Sequence, residues 1–312
     1  MESYFKDPRI SQSQLKRFIN PNPRSLYRGS SEDDLYYEKE SIHFSKGKLL
    51  DRLIEGLEVT EHYYIQSKDY KHPSAKVESI AQECIDLELT TVDSILKIKK
   101  KQGYQGNWKE ETNITWVNDT LKPFIKQKKE IGDKVVVTQE EFDQVATMTN
   151  SMLEGEYTKP ILDKFDGEYQ VALYTDKYKI LVDYLQLDHV SKVARVIDFK
   201  TTGDWLEQFK KSIIRFGYHF QMSFYSHVVG LKYPGYTVLP PVLIVGSKKE
   251  PEWAEPFTLS NKALKQAKDG WTDRYGKPHI GWSEMYERLS TYNGEMYNKK
   301  LIKRGTNLIK EL

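Results

Sequence analysis

The sequence predicts an α/β (α+β) fold, with a central mixed β-sheet that includes an antiparallel meander and is flanked by helices. Three observations predict it. Residues 168–201 read as three strands separated by two short polar turns, Thr175–Asp176–Lys177 and Asp188–Lys192, the pattern of a meander. The apolar run Val242–Gly246 follows a helical segment, as a parallel central strand would. Helical periodicity dominates most of what lies before and after. We read the 312 residues as one domain. It has a mainly helical N-terminal part over 1–160 that includes a poorly legible insertion, a core over 161–250, and a helical C-terminal part over 251–312.

In order along the chain, Ser11 is placed to cap a first helix, with Leu15, Phe18 and Ile19 on one face. Asn20–Pro21–Asn22–Pro23 stops it, because each proline biases its predecessor away from helical dihedrals. Ser25–Arg28 is a short segment, and Ser30–Asp34 is acidic. A second helix is expected over about 45–57, with Leu49, Leu50, Leu53, Ile54 and Leu57 inward. Val77–Leu89 reads as helical. The lysine run Lys97–Lys101 is either solvated surface or, with the aromatics after it, a phosphate-tracking stretch. Lys126–Lys129 is a further basic patch. Thr138–Gln139–Glu140–Glu141 is a capping box that opens a helix to about Leu153, with Phe142, Val145, Met148 and Met152 in the core. The strands are expected at Glu168–Tyr174, Tyr178–Leu187 and Val193–Thr201. Helices follow at Tyr218–Gly230, Asn261–Lys268 and Trp282–Tyr292. The tail Lys299–Arg304 is basic.

Composition excludes several classes. Charged residues are 29%, hydrophobic ones 38% and net charge +2, which fits a globular chain and announces no global polyanion partner. The single cysteine, Cys84, excludes an internal disulfide, a CxxC zinc site and a four-cysteine cluster, and is expected to be an inert buried thiol. No apolar run reaches the ~20 residues of a membrane span. Met1–Lys6 lacks an apolar signal core, so a cytoplasmic protein is expected.

The strand Val193–Thr201 carries the candidate chemistry. Side chains two apart on a strand share a face, so Asp198 and Lys200 point the same way. Asp183 closes the neighbouring apolar run Lys179–Ile180–Leu181–Val182. Two carboxylates and a lysine at the ends of paired strands suit a hard divalent cation beside a fixed positive charge. Mg²⁺ takes oxygen ligands, and the Phe199 backbone carbonyl is a further candidate oxygen. A second ion would need another carboxylate, which Glu168 could supply. Lys200 is placed to orient a water or to offset charge on phosphate. Gln221 and Tyr225 are four apart on a helix and could bond a DNA backbone or orient a metal ligand. Asp51 is either a solvated helix carboxylate or a ligand. Lys48 and Arg52 flank it. Thr201 and Thr202, next to Lys200, are candidate DNA supports.

The ordered set Glu168, Asp183, Asp198–Phe199–Lys200 and Gln221-x-x-x-Tyr225 resembles the PD-(D/E)XK nuclease superfamily, in its RecB-like branch. Ile10–Ser11–Gln12–Ser13–Gln14–Leu15 resembles that branch's S-x-S-x-L start. Gly47–Lys48–Leu49–Leu50–Asp51 resembles its G-x-x-x-H motif, with Asp51 where the branch has histidine. His43 lies too far upstream to replace it. The nearest likeness is to RecE-type, exodeoxyribonuclease VIII-like enzymes and phage recombination exonucleases. The resemblance implies a restriction-endonuclease-like core with helical additions at both ends. It implies a Mg²⁺-dependent exodeoxyribonuclease, with Mn²⁺ as a substitute, that degrades one strand of duplex DNA from an end. Asp183, Asp198, Glu168 and Asp51 would be metal ligands and Lys200 the catalytic lysine. Phe18–Pro23 lacks the cysteine of cluster-bearing relatives, so no iron–sulfur cluster is expected. The implied partners are DNA ends and a single-strand annealing protein, in the cytoplasm of a bacterial or phage-infected cell. A homo-oligomer stays open. The alternatives are a structure-specific or nicking endonuclease, and a non-catalytic DNA-binding scaffold on the same fold.

Overall fold

A computed structural model describes residues 4, 6–16, 42–273, 275–276 and 278–292. Asn20–Pro23, Ser25–Arg28, Ser30–Asp34, Lys299–Arg304, Phe18, Ile19 and the side chain of His43 lie outside the described residues. The chain divides into two compact units, Met1–Glu55 with Val145–Leu312, and Gly56–Gln144.

The first unit is built on a mixed sheet. β1 (Gly167–Tyr174), β2 (Lys179–Asp188), β3 (Val193–Thr202), β4 (Val242–Ser247) and β5 (Ala254–Thr258) lie side by side in that order, and Thr237–Val238 also pairs with β3. β1–β2 and β2–β3 are antiparallel, β3–β4 is parallel and β4–β5 is antiparallel. The meander and the parallel partner are therefore both present, in the helix-flanked sheet of a restriction-endonuclease-like fold. β4 is buried along its whole length, which is why its sequence is an unbroken apolar run without alternation. β5 lies in a stretch expected to be helical. Pro256 obscures its pattern, and proline is tolerated there because β5 is the sheet's edge.

The helices of this unit are α1 (Ile42–Ile54), α2 (Gln139–Glu154, in this unit from Val145 on), α3 (Tyr218–Lys232), α4 (Asn261–Asp269) and α5 (Trp282–Tyr292). Phe220, Phe224 and Val228 of α3 pack with Ile180, Val182 and Val196 of the sheet in one core. α2 begins with the expected capping box: Thr138 N–H donates to Glu141 Oε2 at 3.0 Å and Glu141 N–H to Thr138 Oγ1 at 3.2 Å. Farther along, α2 crosses β4 at Gly246. A Cβ there would stand 2.4 Å from Met148 Cγ and 2.8 Å from Met152 Cε, so only glycine permits this approach. Gly246 pairs with Thr201, which puts that tight contact beside the chemistry-bearing strand.

The second unit holds the helices Ala75–Asp86, Val92–Lys101, Glu110–Trp116 and Lys122–Ile131, the last two joined by a π-helical turn at Val117–Leu121. Tyr63–Gln66 pairs in parallel with Val135–Thr138. Cys84 is buried in this unit's core with Ile80, Ile95, Trp116 and Leu121. Lys99 departs from both readings of the run Lys97–Lys101. It lies one turn beyond Ile95, on the helix's inner face, and is only 4% exposed. Its ammonium donates to Gln105 O at 2.9 Å and Asn113 Oδ1 at 2.6 Å, and sits 4.6 Å from the Trp108 ring centre. Among the described residues no helix is long and apolar enough to cross a membrane.

Candidate active site

The site forms where two strands part. The β2–β3 ladder runs from Asp188 opposite Val193 to Tyr184 opposite Ile197. Beyond that point β3 continues along β4 as far as Thr202. Asp183 and Asp198 are the next residues on the two separating strands. Asp183 substitutes its side chain for the missing ladder bond, since its Oδ2 accepts Phe199 N–H at 3.1 Å. On the β1 side, Gln170 lies between the Tyr169–Tyr184 and Val171–Val182 pairs with φ of 52°. That left-handed conformation is uncommon for a non-glycine residue, and such irregularities beside a site can re-aim a side chain.

Asp198 is completely buried. Its Oδ1 accepts from Gln221 Nε2 at 2.7 Å. Its Oδ2 pairs with the Lys200 ammonium but makes no aligned hydrogen bond. The same ammonium lies 3.9 Å from Asp183 Oδ2, donates to the Phe199 carbonyl at 3.2 Å and stands 5.5 Å from the Tyr218 ring centre. One cation thus contacts two carboxylates and the carbonyl between them. Tyr225, one turn beyond Gln221, is buried, and burial pushes its hydroxyl well up, with the Asp198 and Asp183 charges adding.

Electrostatics follow from this crowding. Burial pushes the Asp198 carboxyl up, the Asp183 carboxylate adds to the shift and Lys200 opposes it. Burial alone would push the Lys200 amine down, but Asp198 and then Asp183 outweigh it, and the net shift is upward. Lys200 is therefore held as a cation. The Asp51 carboxyl on α1 is pushed up to about 7, by burial first and the Asp183 charge second, with Lys200 opposing. Asp51 is solvent-exposed, and water reaching it works against the first of these causes. Glu55 is also pushed up, by burial first, with Arg52 opposing and Asp183 adding.

The structure brings together Asp183, Asp198, Lys200, the Phe199 carbonyl, Gln221 and Tyr225, with Asp51 close enough to feel both Asp183 and Lys200. Glu168 does not join them. It is exposed, pairs with Leu185, and its charge acts on Tyr233 at the far end of α3. The reason is register: Glu168 falls beside the closed part of the β2–β3 ladder, away from its split. Lys48 is exposed on α1, and the charge of Arg52 is felt by Glu55. Thr201 is half-buried against β4, and the buried Thr202 uses its hydroxyl to accept Asp204 N–H at 3.1 Å, closing the turn after β3. Two neighbours escaped the sequence reading. Glu55 follows Asp51 at i+4, a spacing that places both on one helix face. Tyr218, the first residue of α3, shows its role only through its position over Lys200.

Among the described residues no three carboxylate, imidazole or thiol groups gather closely enough to hold an ion by themselves. Two carboxylates and a carbonyl are nonetheless hard-oxygen donors of the kind Mg²⁺ takes, with water and phosphate completing the shell. Asp198 Oδ2, buried without an aligned hydrogen bond, is an acceptor of that kind. The residues fit a divalent cation, provided the Lys200 ammonium moves off the three oxygens.

A family model over most of the chain places it in the PD-(D/E)XK superfamily, whose members the mixed sheet, with two acids and a lysine where its strands part, resembles. More closely, it belongs to the family described as a PDDEXK-like domain of unknown function (DUF3799), which matches residues 11–275. No curated protein matches the chain. Among solved structures it is similar to a proposed exonuclease of Eubacterium rectale, over 95% of this chain and 83% of that one, at 13% identity and a TM-score of 0.39.

Proposed function

We propose that this protein is a divalent-metal-dependent deoxyribonuclease, and specifically a Mg²⁺-dependent exonuclease that degrades one strand of duplex DNA from an end. The observation that carries the reading is Lys200, held as a cation against two carboxylates where β2 and β3 separate. A bound divalent cation would polarise the scissile phosphate and activate a water. The chain's own residues do the rest. Asp183, a quarter exposed, and the fully buried Asp198 would hold the ion together with the Phe199 carbonyl. Gln221 engages Oδ1 of Asp198 and so fixes the plane of that carboxylate. Lys200 places positive charge where negative charge grows on the phosphoryl oxygens. Asp51 is the additional α1 carboxylate. Glu168, exposed and paired with Leu185, has no part in this proposal. The resemblance to recombination exonucleases supports delivery of the product strand to a single-strand annealing protein, and Mn²⁺ as a substitute metal.

The test is digestion of end-labelled linear duplex and of closed circular duplex, with Mg²⁺ or with chelator, by wild type and Asp198→Ala. The expected result is Mg²⁺-dependent loss of the linear DNA by wild type alone. Digestion by Asp198→Ala at the wild-type rate would remove the site assignment. Equal cutting of the circle would turn the reading to an endonuclease. DNA retained but never cut would favour the scaffold reading.

A further inference from the structure

Beyond the C-terminal end of β3 the structure exposes two aromatic rings, and each is covered by a cation. Trp205 follows Thr202 by three residues and is 43% exposed. The Lys249 ammonium lies 5.4 Å from its ring centre. The two segments are tied together, because Ser247 Oγ donates to Asp204 O at 2.8 Å and accepts Lys249 N–H at 3.1 Å. Phe216 is 45% exposed, with the Arg215 guanidinium 5.3 Å from its ring centre. Phe216 stands 5.9 Å from the ring of Tyr218, the residue that overhangs Lys200. Neither ring serves the core around Phe209 and Phe257.

We infer that Trp205 and Phe216 form a base-stacking rim beside the candidate active site, which holds single-stranded nucleotides next to the bond to be cut. The inference rests on the nuclease reading and adds the contact with bases. Any nucleobase presents a π-face, so aromatic stacking holds a single strand without regard to sequence. The paired cations supply what stacking lacks, attraction to the phosphates between stacked bases. A scattered exposed aromatic needs no explanation. Two that each carry a cation, one three residues past the strand bearing Lys200 and the other against the ring that overhangs Lys200, match the chemistry of a single-strand track.

The test is anisotropy of a fluorescein-labelled single strand of roughly 12 nucleotides, in chelator so that nothing is cut. A second probe has the same backbone and no bases. Trp205→Ala and Phe216→Ala are each expected to weaken binding of the base-bearing strand about tenfold. Trp205→Phe and Phe216→Tyr are expected to preserve it, and neither alanine variant should further weaken binding of the baseless probe. Alanine variants that bind the normal strand within about twofold of wild type would overturn the rim. So would equal losses on both probes, or a wild type that binds neither. Failure of the nuclease reading looks different: DNA stays intact with every divalent cation, whatever the binding in chelator shows.

Discussion

Two lysines, one in each unit, follow an apolar residue in the sequence, one buried (Lys99) and one half-buried (Lys200), and their amines are pushed in opposite directions. Lys99, after Ile98, is surrounded by a carbonyl, an amide oxygen and the rings of Trp108 and Trp116. All are neutral, and burial pushes its amine down. Lys200, after Phe199, meets two carboxylates and a carbonyl, and its amine is pushed up despite burial. Neutral partners make a lysine a structural pin that satisfies hydrogen bonds and packs rings. Anionic partners make it a permanent charge facing acids that would otherwise repel one another. Only the second arrangement has the ingredients of phosphodiester chemistry.

The contrast can be broken most severely at the acids. Asp198→Asn is expected to abolish the heat of Mn²⁺ binding in titration calorimetry and to stop DNA hydrolysis, while the variant stays folded by circular dichroism. Undiminished binding heat would move the metal elsewhere. Lys99→Met is expected to act on stability alone. It strands the Gln105 carbonyl and the Asn113 amide oxygen, at a cost of about 2–3 kcal/mol, visible as a lower denaturation midpoint. A midpoint equal to wild type would deny Lys99 its structural role. Gln221→Ala removes one bond to a buried charge, about 1.5–3 kcal/mol, and is expected to lower the hydrolysis rate at least tenfold without abolishing it. Its complete loss would show that Gln221 does more than orient Asp198.

The smallest expected effect is on pH dependence. The folded state holds protons on Asp198 and Asp51 more tightly than the unfolded chain, whose carboxyls titrate near about pH 4. Between about pH 4 and about pH 7 the folded state therefore binds more protons, and stability contributed by these groups falls as pH rises through that window. The metal-free protein should melt at a higher temperature at about pH 5.5 than at about pH 7.5. Added Mg²⁺ should recover the difference at the higher pH, and Asp51→Asn should flatten the slope. A melting temperature that rises with pH across this window would contradict the charge assignment.

What the sequence made legible was local. The meander could be read from turn residues at Thr175–Lys177 and Asp188–Lys192, and α2 from the reciprocal pair Thr138 and Glu141. Asp198 and Lys200 share a strand face by simple alternation, and Asp183 joins them because its strand is the next in the meander. Features set by distant partners were not legible. The pairing of Tyr63–Gln66 with Val135–Thr138 has no local signal in either segment. β5 was hidden by Pro256, Lys99 by the lysines around it, and the displacement of Glu168 by the register of β1 on β2. Glu55 was hidden for a different reason: helical acids four apart are ordinary until a strand carboxylate such as Asp183 stands across from them.

The most direct measurement sets the two lysines side by side. Initial rates of Mg²⁺-dependent hydrolysis of end-labelled duplex would be compared for wild type, Lys200→Met and Lys99→Met, below the melting temperature of each. Loss of about a thousandfold is expected for Lys200→Met, with Lys99→Met close to wild type. Hydrolysis that survives Lys200→Met, or that fails equally in both variants, would contradict the account.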